Sequence, residues 1–226
     1  MEFAMLAESH FLKTTEAAVV ADVEVENVNK LIDNHILPDE LFVRNGGRRV
    51  LPGGCVAINF YVHSANILDA HTRRSAITRF LDRLRALEVH KMNMREFRRA
   101  DWTLHERFVT IEFWDVLKDT VDRFEQLEAA RAMVVVDEEI LAGTAVLKGT
   151  RIPVYTVAAM VSAGVYMAEI LEDFPGLDEQ KIELAAVYAK ANPPRGRPTS
   201  RLRLPAGATL SARRSSKSER PNEAAH

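Results

Sequence analysis

Apolar side chains recur every three or four residues along much of the chain, which predicts a mainly α-helical protein with small strands, an α+β fold. Thr14 or Thr15 is the expected N-cap of the first helix, and Asp178 is the expected N-cap of the last one. The predicted helices cover residues 14–21, 25–35, 71–99, 115–131, 156–163, 167–173 and 178–190. The composition, with 47% hydrophobic and 27% charged residues, is near the globular average and argues against a coiled-coil rod or wholesale disorder.

Short extended segments separate these helices. Residues 41–43 and 49–51 flank Asn45-Gly46-Gly47, whose Asn-Gly step suits a tight hairpin turn that Pro52-Gly53-Gly54 closes before a further short helix. Residues 106–113 place Phe108, Ile111 and Phe113 in an alternating pattern typical of a single strand. Further short extended pieces are predicted at residues 134–136, 146–147 and 152–154.

The distribution of charge is more informative than its sum. The 226 residues carry 30 basic and 32 acidic side chains, a net charge of -2. From Asn192 onward the chain has eight basic and two acidic residues, so a basic tail follows an acidic body. The tail is rich in Pro, Gly, Ser and Arg and has few aliphatic side chains, so we expect it to be disordered unless it binds an acidic partner.

Catalytic chemistry finds little support in the sequence. No two of the seven histidines have the i, i+4 spacing of a helical metal site, and Cys55 lies alone in an apolar run. Lys148 precedes Gly149, which is the wrong order for a phosphate-binding loop. We therefore expect a protein that is not an enzyme and holds no metal or cofactor. The single cysteine, and the lack of a long apolar run or signal peptide, predict a cytoplasmic location.

The first segment resembles the winged helix-turn-helix of excisionase-like and MerR-like DNA-binding proteins, through residues 16–18, 22–23, 28–32 and 36–37 and the hairpin that follows. The resemblance implies that the second helix enters the major groove and that the hairpin contacts phosphates. The implied base-reading candidates are Asn27, Asn29 and Lys30, and the implied phosphate contacts are Arg44, Arg48 and Arg49. Three acids of the same helix, Glu24, Glu26 and Asp33, oppose DNA binding, so a module retained for protein contact is the alternative.

The tail permits three interpretations. Residues 194–198 read Pro-Arg-Gly-Arg-Pro, the core of the AT-hook, whose arginines lie in the minor groove of A·T-rich DNA. Alternatively, planar guanidinium groups pair with a carboxylate-lined protein pocket and take the place of metal ions there. The arginines concerned are Arg195, Arg197, Arg201 and Arg203. The third possibility is a solvated tail that only aids solubility.

The third segment resembles a small bacterial domain of unknown function found in VapB-like antitoxins. The Lys-Gly-Thr-Arg-Ile-Pro-Val string at residues 148–154 is its most specific part, and residues 137–141, 164, 169–175, 182 and 188–189 add to it. The family usually has a Gly-Gly-x-Pro turn where this chain has residues 142–145, so that loop departs from the pattern. Arg151 within the string either bridges to an acid such as Asp137 or is presented to a partner.

This resemblance implies a type II toxin–antitoxin system. Its toxin is typically a PIN-like ribonuclease that holds Mg²⁺ on carboxylates, and an arginine-bearing antitoxin segment would compete with that metal. The implied organisation is a winged helix-turn-helix domain at residues 1–64, a helical middle segment at 65–132 that carries the implied dimer contact, the family domain at 133–191 and the basic tail at 192–226. The expected protein is a homodimeric antitoxin that represses its own operon, and the alternative is a stand-alone transcriptional regulator with an AT-hook-like tail.

Overall fold

The protein is mainly helical with small antiparallel sheets, which confirms the predicted α+β class. The computed structural model describes residues 11–44, 46–88, 99–106 and 108–194. The chain divides into a compact unit from Met1 to Pro193 and a second unit from Pro194 to His226. All of the elements given below lie in the first unit.

The first part of this unit contains three helices and a small sheet. Helix α1 spans Thr14–Ala21, α2 spans Val25–Asp33 and α3 spans Pro52–His63. The strands β1 (Leu12–Lys13), β2 (Phe42–Val43) and β3 (Arg49–Val50) form an antiparallel sheet in the order β1-β3-β2. Val50 lies opposite both Leu12 and Phe42, and all three side chains are buried. The hairpin is thereby packed onto the same core as the helices.

Two local details of this region differ from the prediction. The N-cap of α1 is Lys13 rather than Thr14 or Thr15, and its backbone N–H donates to Oε2 of Glu16 at 2.7 Å. Pro52 occupies the first turn of α3, where its missing N–H is no loss, so Pro52-Gly53-Gly54 begins a helix rather than closing the hairpin. Gly46 and Gly47 of the predicted turn both have positive φ angles, and Asn45 lies outside the described residues.

The middle of the chain contains two long helices and a hairpin. Helix α4 spans Ala70–Ala86, β4 spans Thr103–Glu106, β5 spans Val109–Glu112 and α5 spans Trp114–Met133. Residues 89–98 of the predicted helix 71–99 lie outside the described part of the chain. The single strand predicted for residues 106–113 was wrong, because β4 and β5 are separate antiparallel strands and Phe108 at the turn is 97% exposed.

The basic face predicted for α4 is largely occupied by contacts within the protein. The Arg73 guanidinium stacks 4.1 Å from the centre of the Tyr61 ring and donates to the Tyr61 carbonyl at 2.7 Å. Arg79 donates to the carbonyl of His105 on β4, and Arg83 donates to the carbonyl of Asp101 at 3.0 Å. These arginines hold neighbouring elements against α4.

The last part of the unit is a small helical bundle on a short hairpin. Strands β6 (Val134–Val135) and β7 (Val146–Leu147) pair antiparallel, and the helices are α6 (Val154–Ser162), α7 (Met167–Asp173) and α8 (Glu179–Ala191). Asp178 caps α8 as predicted, accepting the Lys181 N–H at 2.8 Å. A core of buried apolar residues joins these elements: Ala145, Leu147, Val154, Val157, Ile170, Leu177, Ile182 and Ala185.

The first and middle parts of the unit meet at a buried ion pair between α1 and α5. The Glu16 side chain is 4% exposed and lies 2.8 Å from the Arg131 guanidinium, which also pairs with Glu128. Burial works against the charge of Arg131, yet the two carboxylates hold its pKa above the ordinary value. Burial also raises the pKa of the neighbouring Tyr188 hydroxyl on α8.

We predict that Glu16→Gln lowers the free energy of unfolding by about 2 kcal/mol, because it removes a charged acceptor from a partly buried guanidinium. Urea denaturation followed by circular dichroism measures the change. Glu125→Gln, an exposed carboxylate on the same α5 helix, is the matched control and should change stability by less than about 0.5 kcal/mol. Equal losses in the two variants would contradict the role given to Glu16.

A second prediction concerns Gly54, which lets α3 approach the hairpin. A Cβ atom at this position would lie 2.7 Å from Val50 Cγ1 and 3.0 Å from the Leu41 carbonyl oxygen. Gly54→Ala should therefore destabilise the fold by about 1–3 kcal/mol through overpacking. Gly176→Ala meets nothing within 4 Å and serves as the control in thermal unfolding. A Gly54→Ala protein as stable as the control would show that the two elements can separate without cost.

Candidate nucleic-acid interface

The most organised candidate surface is formed by α2, the turn before it and the β2–β3 hairpin. Asp22 ends α1 in a left-handed conformation with φ 54°, and a three-residue turn leads into α2. Val28, Leu31 and Ile32 of α2 are buried against the common core. The opposite face of α2, at residues 26, 29, 30 and 33, is consequently directed away from the core.

Arg48 of the hairpin contacts this outer face through two hydrogen bonds. Arg48 donates from Nη1 to Asn29 Oδ1 at 2.8 Å and from Nη2 to Asp33 Oδ1 at 2.7 Å. The guanidinium thereby compensates one of the three acids that oppose DNA binding, and it fixes the Asn29 amide with its acceptor oxygen towards the hairpin. The Asn29 amide nitrogen is left to donate outward.

Arg44 contacts the C-terminal end of α2. Its Nη2 donates to the Ile32 carbonyl at 3.1 Å, and its guanidinium lies 5.5 Å from the centre of the Phe42 ring. A cation at this position satisfies a carbonyl of the last helical turn and interacts favourably with the helix dipole. Arg44 and Arg48 thus both attach the hairpin region to α2. Both side chains also remain partly exposed to solvent.

The remaining candidates lack such attachments among the described residues. Lys30 is exposed, and Asn27 and Arg49 are half-buried, with neither a hydrogen bond nor an ion pair from any of the three side chains to another described residue. Glu24 and Glu26 are exposed at the start of α2, where negative charge stabilises the helix N-terminus. The outer face of α2 is therefore polar, with Glu24 and Glu26 at its start and Lys30 further along the helix.

The hairpin changes the net charge of this surface. The outer side of α2 alone carries the acids Glu24, Glu26 and Asp33 against Lys30, a formal balance of -2. Arg44, Arg48 and Arg49 bring that balance to +1. Positive charge next to an exposed helix is the arrangement that phosphate contacts require, and only the tertiary structure brings the two segments together.

The segment that precedes the basic tail is anchored to α1. Thr15 Oγ1 donates to the Ala191 carbonyl at 2.7 Å, Lys13 Nζ donates to Asn192 Oδ1 at 3.2 Å, and the Tyr155 hydroxyl donates to the Asn192 carbonyl at 2.8 Å. Burial raises the pKa of Tyr155, which favours the protonated donor. The arginines expected to bind the toxin, Arg195, Arg197, Arg201 and Arg203, lie outside the described residues.

The turn of the Lys-Gly-Thr-Arg-Ile-Pro-Val string is rigid, and its arginine is exposed. Thr150 Oγ1 donates to the Leu147 carbonyl at 2.8 Å and accepts the Ile152 N–H at 3.1 Å, while Gly149 has a φ of 77°. Arg151 has no ion pair with Asp137, whose carboxylate accepts the Glu139 N–H instead. Of the two alternatives for Arg151, the bridge to Asp137 is therefore not formed.

Over the described ranges, no three or more His, Cys, Asp or Glu side chains are grouped so that they could hold a metal ion. None of the helices in the described part of the chain is both long and apolar enough to cross a membrane.

Comparison with known proteins identifies two similarities. Residues 134–189 match the family described as "Protein of unknown function (DUF433)". The chain is 42% identical over 210 residues to "Uncharacterized protein y4eO" of Sinorhizobium fredii, an alignment that covers 93% of this chain and 94% of that protein. No solved structure matches the chain.

Proposed function

The chain belongs to the same family as the Sinorhizobium fredii protein y4eO, and we propose that it is the antitoxin of a type II toxin–antitoxin system that also binds operator DNA. In this proposal residues 11–63 bind DNA, the DUF433 segment resembles that of VapB-like antitoxins, and the basic tail inhibits a PIN-like ribonuclease. The protein acts in the cytoplasm, as a homodimer and without a catalytic reaction of its own.

The observation that carries the DNA-binding part is the attachment of the arginine-bearing hairpin to the outer face of α2. A helix-turn-helix places its second helix in the major groove, and residues near the start of that helix contact base edges. Asn27, Asn29 and Lys30 occupy those positions here. The proposal is supported by the Arg48 bridge, which holds the hairpin where Arg49 can reach the flanking phosphates.

The charge balance explains how an acidic helix can still approach DNA. Arg48 pairs with Asp33, so the remaining acids are at the first turn of α2, and the cations are at its middle and on the hairpin. An exposed pair of this kind adds little to stability, at about 0–1 kcal/mol. Its value lies in local neutralisation of Asp33, which would otherwise repel the phosphate backbone.

We predict that Lys30→Ala and Arg49→Ala each weaken binding to duplex DNA from the promoter of the protein's own operon. Arg49→Ala removes a proposed phosphate contact and should reduce the slope of log affinity against log salt by about 1. Lys30→Ala removes a proposed base contact and should cost about 1–3 kcal/mol of affinity. Glu26→Gln should raise the affinity because it removes a repelled charge. Fluorescence anisotropy at several salt concentrations measures all three changes.

Lys118→Ala is the matched control for this test, because Lys118 is an exposed lysine on α5 rather than on α2 or the hairpin. It should leave the affinity and the salt slope unchanged. Equal effects of Lys118→Ala and Lys30→Ala would mean that binding is diffuse attraction to the whole surface. That result would remove α2 and the hairpin from the proposed interface.

The antitoxin part rests on the resemblance of residues 148–154 to VapB-like proteins and on the charge of the tail. A ribonuclease that binds Mg²⁺ with clustered carboxylates presents an acidic pocket, and arginine side chains pair with carboxylates through two parallel hydrogen bonds. Arg195, Arg197, Arg201 and Arg203 are the proposed inhibitory side chains. Inserted into the pocket, they would exclude both the metal ion and the RNA.

We predict that a chain ending at Pro194 inhibits the ribonuclease encoded beside it on the order of 100-fold less well than the full chain, because several charged contacts are lost. The cut belongs after Pro194, since Asn192 is part of the anchor to α1 and Tyr155. A full-length variant with alanine at all four proposed arginines should match the truncation. RNA cleavage by the purified toxin gives the readout.

The same experiment tests the alternative, a stand-alone regulator with an AT-hook-like tail. In that case neither form of the chain inhibits the ribonuclease, and the full chain prefers A·T-rich duplexes whereas the truncated chain does not. Tail-dependent DNA binding should also weaken steeply as salt rises. Inhibition of the toxin by the truncated chain at full strength would instead show that the tail is not the inhibitory segment.

A further inference from the structure

The tip of the β4–β5 hairpin presents an aromatic ring to solvent. Phe108 is 97% exposed, and Val109 beside it is 38% exposed. Isolated apolar residues on a surface are common, but an aromatic ring at the end of a projecting hairpin offers about 150–250 Å² of apolar area with little loss of side-chain freedom on binding. This ring is an exposed apolar projection at the tip of the hairpin.

The base of the same hairpin carries an open groove of about 340 Å³. Trp102, at 3% exposure, forms part of its floor, and Trp114 lies at the start of α5. The groove is lined by Ala100, Asp101, Trp102, Thr103, Glu112 and Trp114. One hairpin therefore carries both an exposed ring and a groove with aromatic walls, about one strand length apart.

The two edges of the hairpin differ in whether they can accept another strand. The Phe113 N–H donates to the Trp102 carbonyl at 3.1 Å, so by antiparallel alternation residues 103 and 105 direct their backbone groups away from β5. One backbone group is occupied at each position: the Thr103 N–H donates to Asp101 Oδ1 at 2.9 Å, and the His105 carbonyl accepts from Arg79. The outer edge of β4 is thus obstructed by side chains of its own chain.

The outer edge of β5 is open. The same alternation directs the backbone groups of Thr110 and Glu112 away from β4. Among the described residues these backbone groups have no hydrogen-bond partner. An unpaired edge of this kind is a template for another strand unless it is blocked by proline, a bulge or a covering element.

We propose that β5 pairs antiparallel with β5 of a second copy of this chain, with Thr110 opposite Thr110 of that copy. Two-fold pairing about this residue places position 108 of each copy opposite position 112 of the other. Phe108 of each copy then enters the groove beside Glu112 and Trp114 of its mate. The result is a four-stranded sheet with a self-complementary, reciprocal interface.

Charge favours this register. Because Thr110 lies on the two-fold axis, the Glu112 carboxylates of the two copies are not opposite each other, and like charges placed opposite one another destabilise paired strands. Each Glu112 is also held in its own copy, where Oε2 accepts from Thr103 Oγ1 at 2.8 Å and Oε1 accepts the Trp114 N–H at 3.1 Å. The residue at the centre of the interface is neutral.

Reciprocal insertion also increases the buried area, because each contact is made twice. The two Phe108 rings together supply about 300–500 Å² of the roughly 1,600 Å² that stable protein interfaces bury. The paired strand edges and the groove walls supply further area. This proposal rests on the homodimer of the proposed function, because the β5 pairing would supply its two-fold axis for two half-sites. The contact itself involves neither DNA nor toxin.

The first test measures the mass of the full chain by sedimentation equilibrium. A dimer is expected, and Phe108→Glu should raise its dissociation constant at least 100-fold by placing a charge in the groove. Ile67→Glu is the matched control, because Ile67 is 82% exposed but lies outside the hairpin. A monomeric wild-type chain, or equal effects of the two substitutions, would overturn the proposal.

The second test fixes the register by cross-linking. Residues that face each other in a hydrogen-bonded antiparallel pair have Cα atoms about 5.5 Å apart, which is within the range of a disulfide. Thr110→Cys should therefore form an intermolecular disulfide under mild oxidation, whereas Thr78→Cys, exposed on α4, should not. Cys55 is fully buried and burial raises its pKa, so it adds little background.

Folding and DNA binding are measured on the same variants, so that a failure of the β5 interface can be distinguished from a failure of DNA binding. Far-ultraviolet circular dichroism should be unchanged by Phe108→Glu, since Phe108 contributes nothing to the core. A folded Phe108→Glu monomer that still binds a single half-site supports both proposals. A dimer that cross-links equally through Thr78→Cys would reject the β5 interface whatever the DNA result.

Discussion

The buried carboxylate of Glu16 is the interaction on which the arrangement of the described unit depends. It accepts the Lys13 N–H at the start of α1 and pairs with Arg131 near the end of α5. A buried charge that loses its partner is strongly destabilising, so α1 and α5 must stay in register for the protein to fold. The hydrogen bonds from Thr15 and Lys13 to the end of α8 extend the same junction to the DUF433 segment.

Helix α1 joins two segments that the proposed function uses. It precedes α2 in the chain, and its Thr15 and capping Lys13 donate hydrogen bonds to Ala191 and Asn192 just before the tail. In the proposed function the DNA-binding helices and the inhibitory tail are then connected through α1 without an intervening linker up to Asn192. Asn192 is itself held by hydrogen bonds from Lys13 and Tyr155.

Many of the arginines in the described unit form contacts within the protein and are not simply exposed to solvent. The arginines of α4 donate to carbonyls of neighbouring segments, and Arg48 joins the hairpin to α2. A guanidinium with five donors suits this role, since it can satisfy carbonyls that no regular element pairs. The cations that remain exposed and without described partners, such as Lys30 and Arg151, are therefore more informative about binding than the total charge.

The sequence by itself determined the helical class and most element boundaries, because the signals that start and end helices act over a few residues. Helix α6 ends just before Gly164 and α7 ends before Pro175, as predicted, and Asp178 caps α8. The prediction failed at residues 106–113, where the alternation of apolar residues continues across a turn that has no Gly or Pro to mark it. Periodicity reports which face is apolar, and it does not report where the chain reverses.

The sequence determined less about the candidate sites than about the helices. The sequence selected Asn29 and Arg48 as separate contacts, but their mutual hydrogen bond depends on how the hairpin packs against α2. The groove between Trp102 and Trp114 and the open edge of β5 had no sequence signal at all. Side-chain partners and unpaired edges are set by which elements become neighbours, and that is determined only when distant segments bury their apolar faces in a common core.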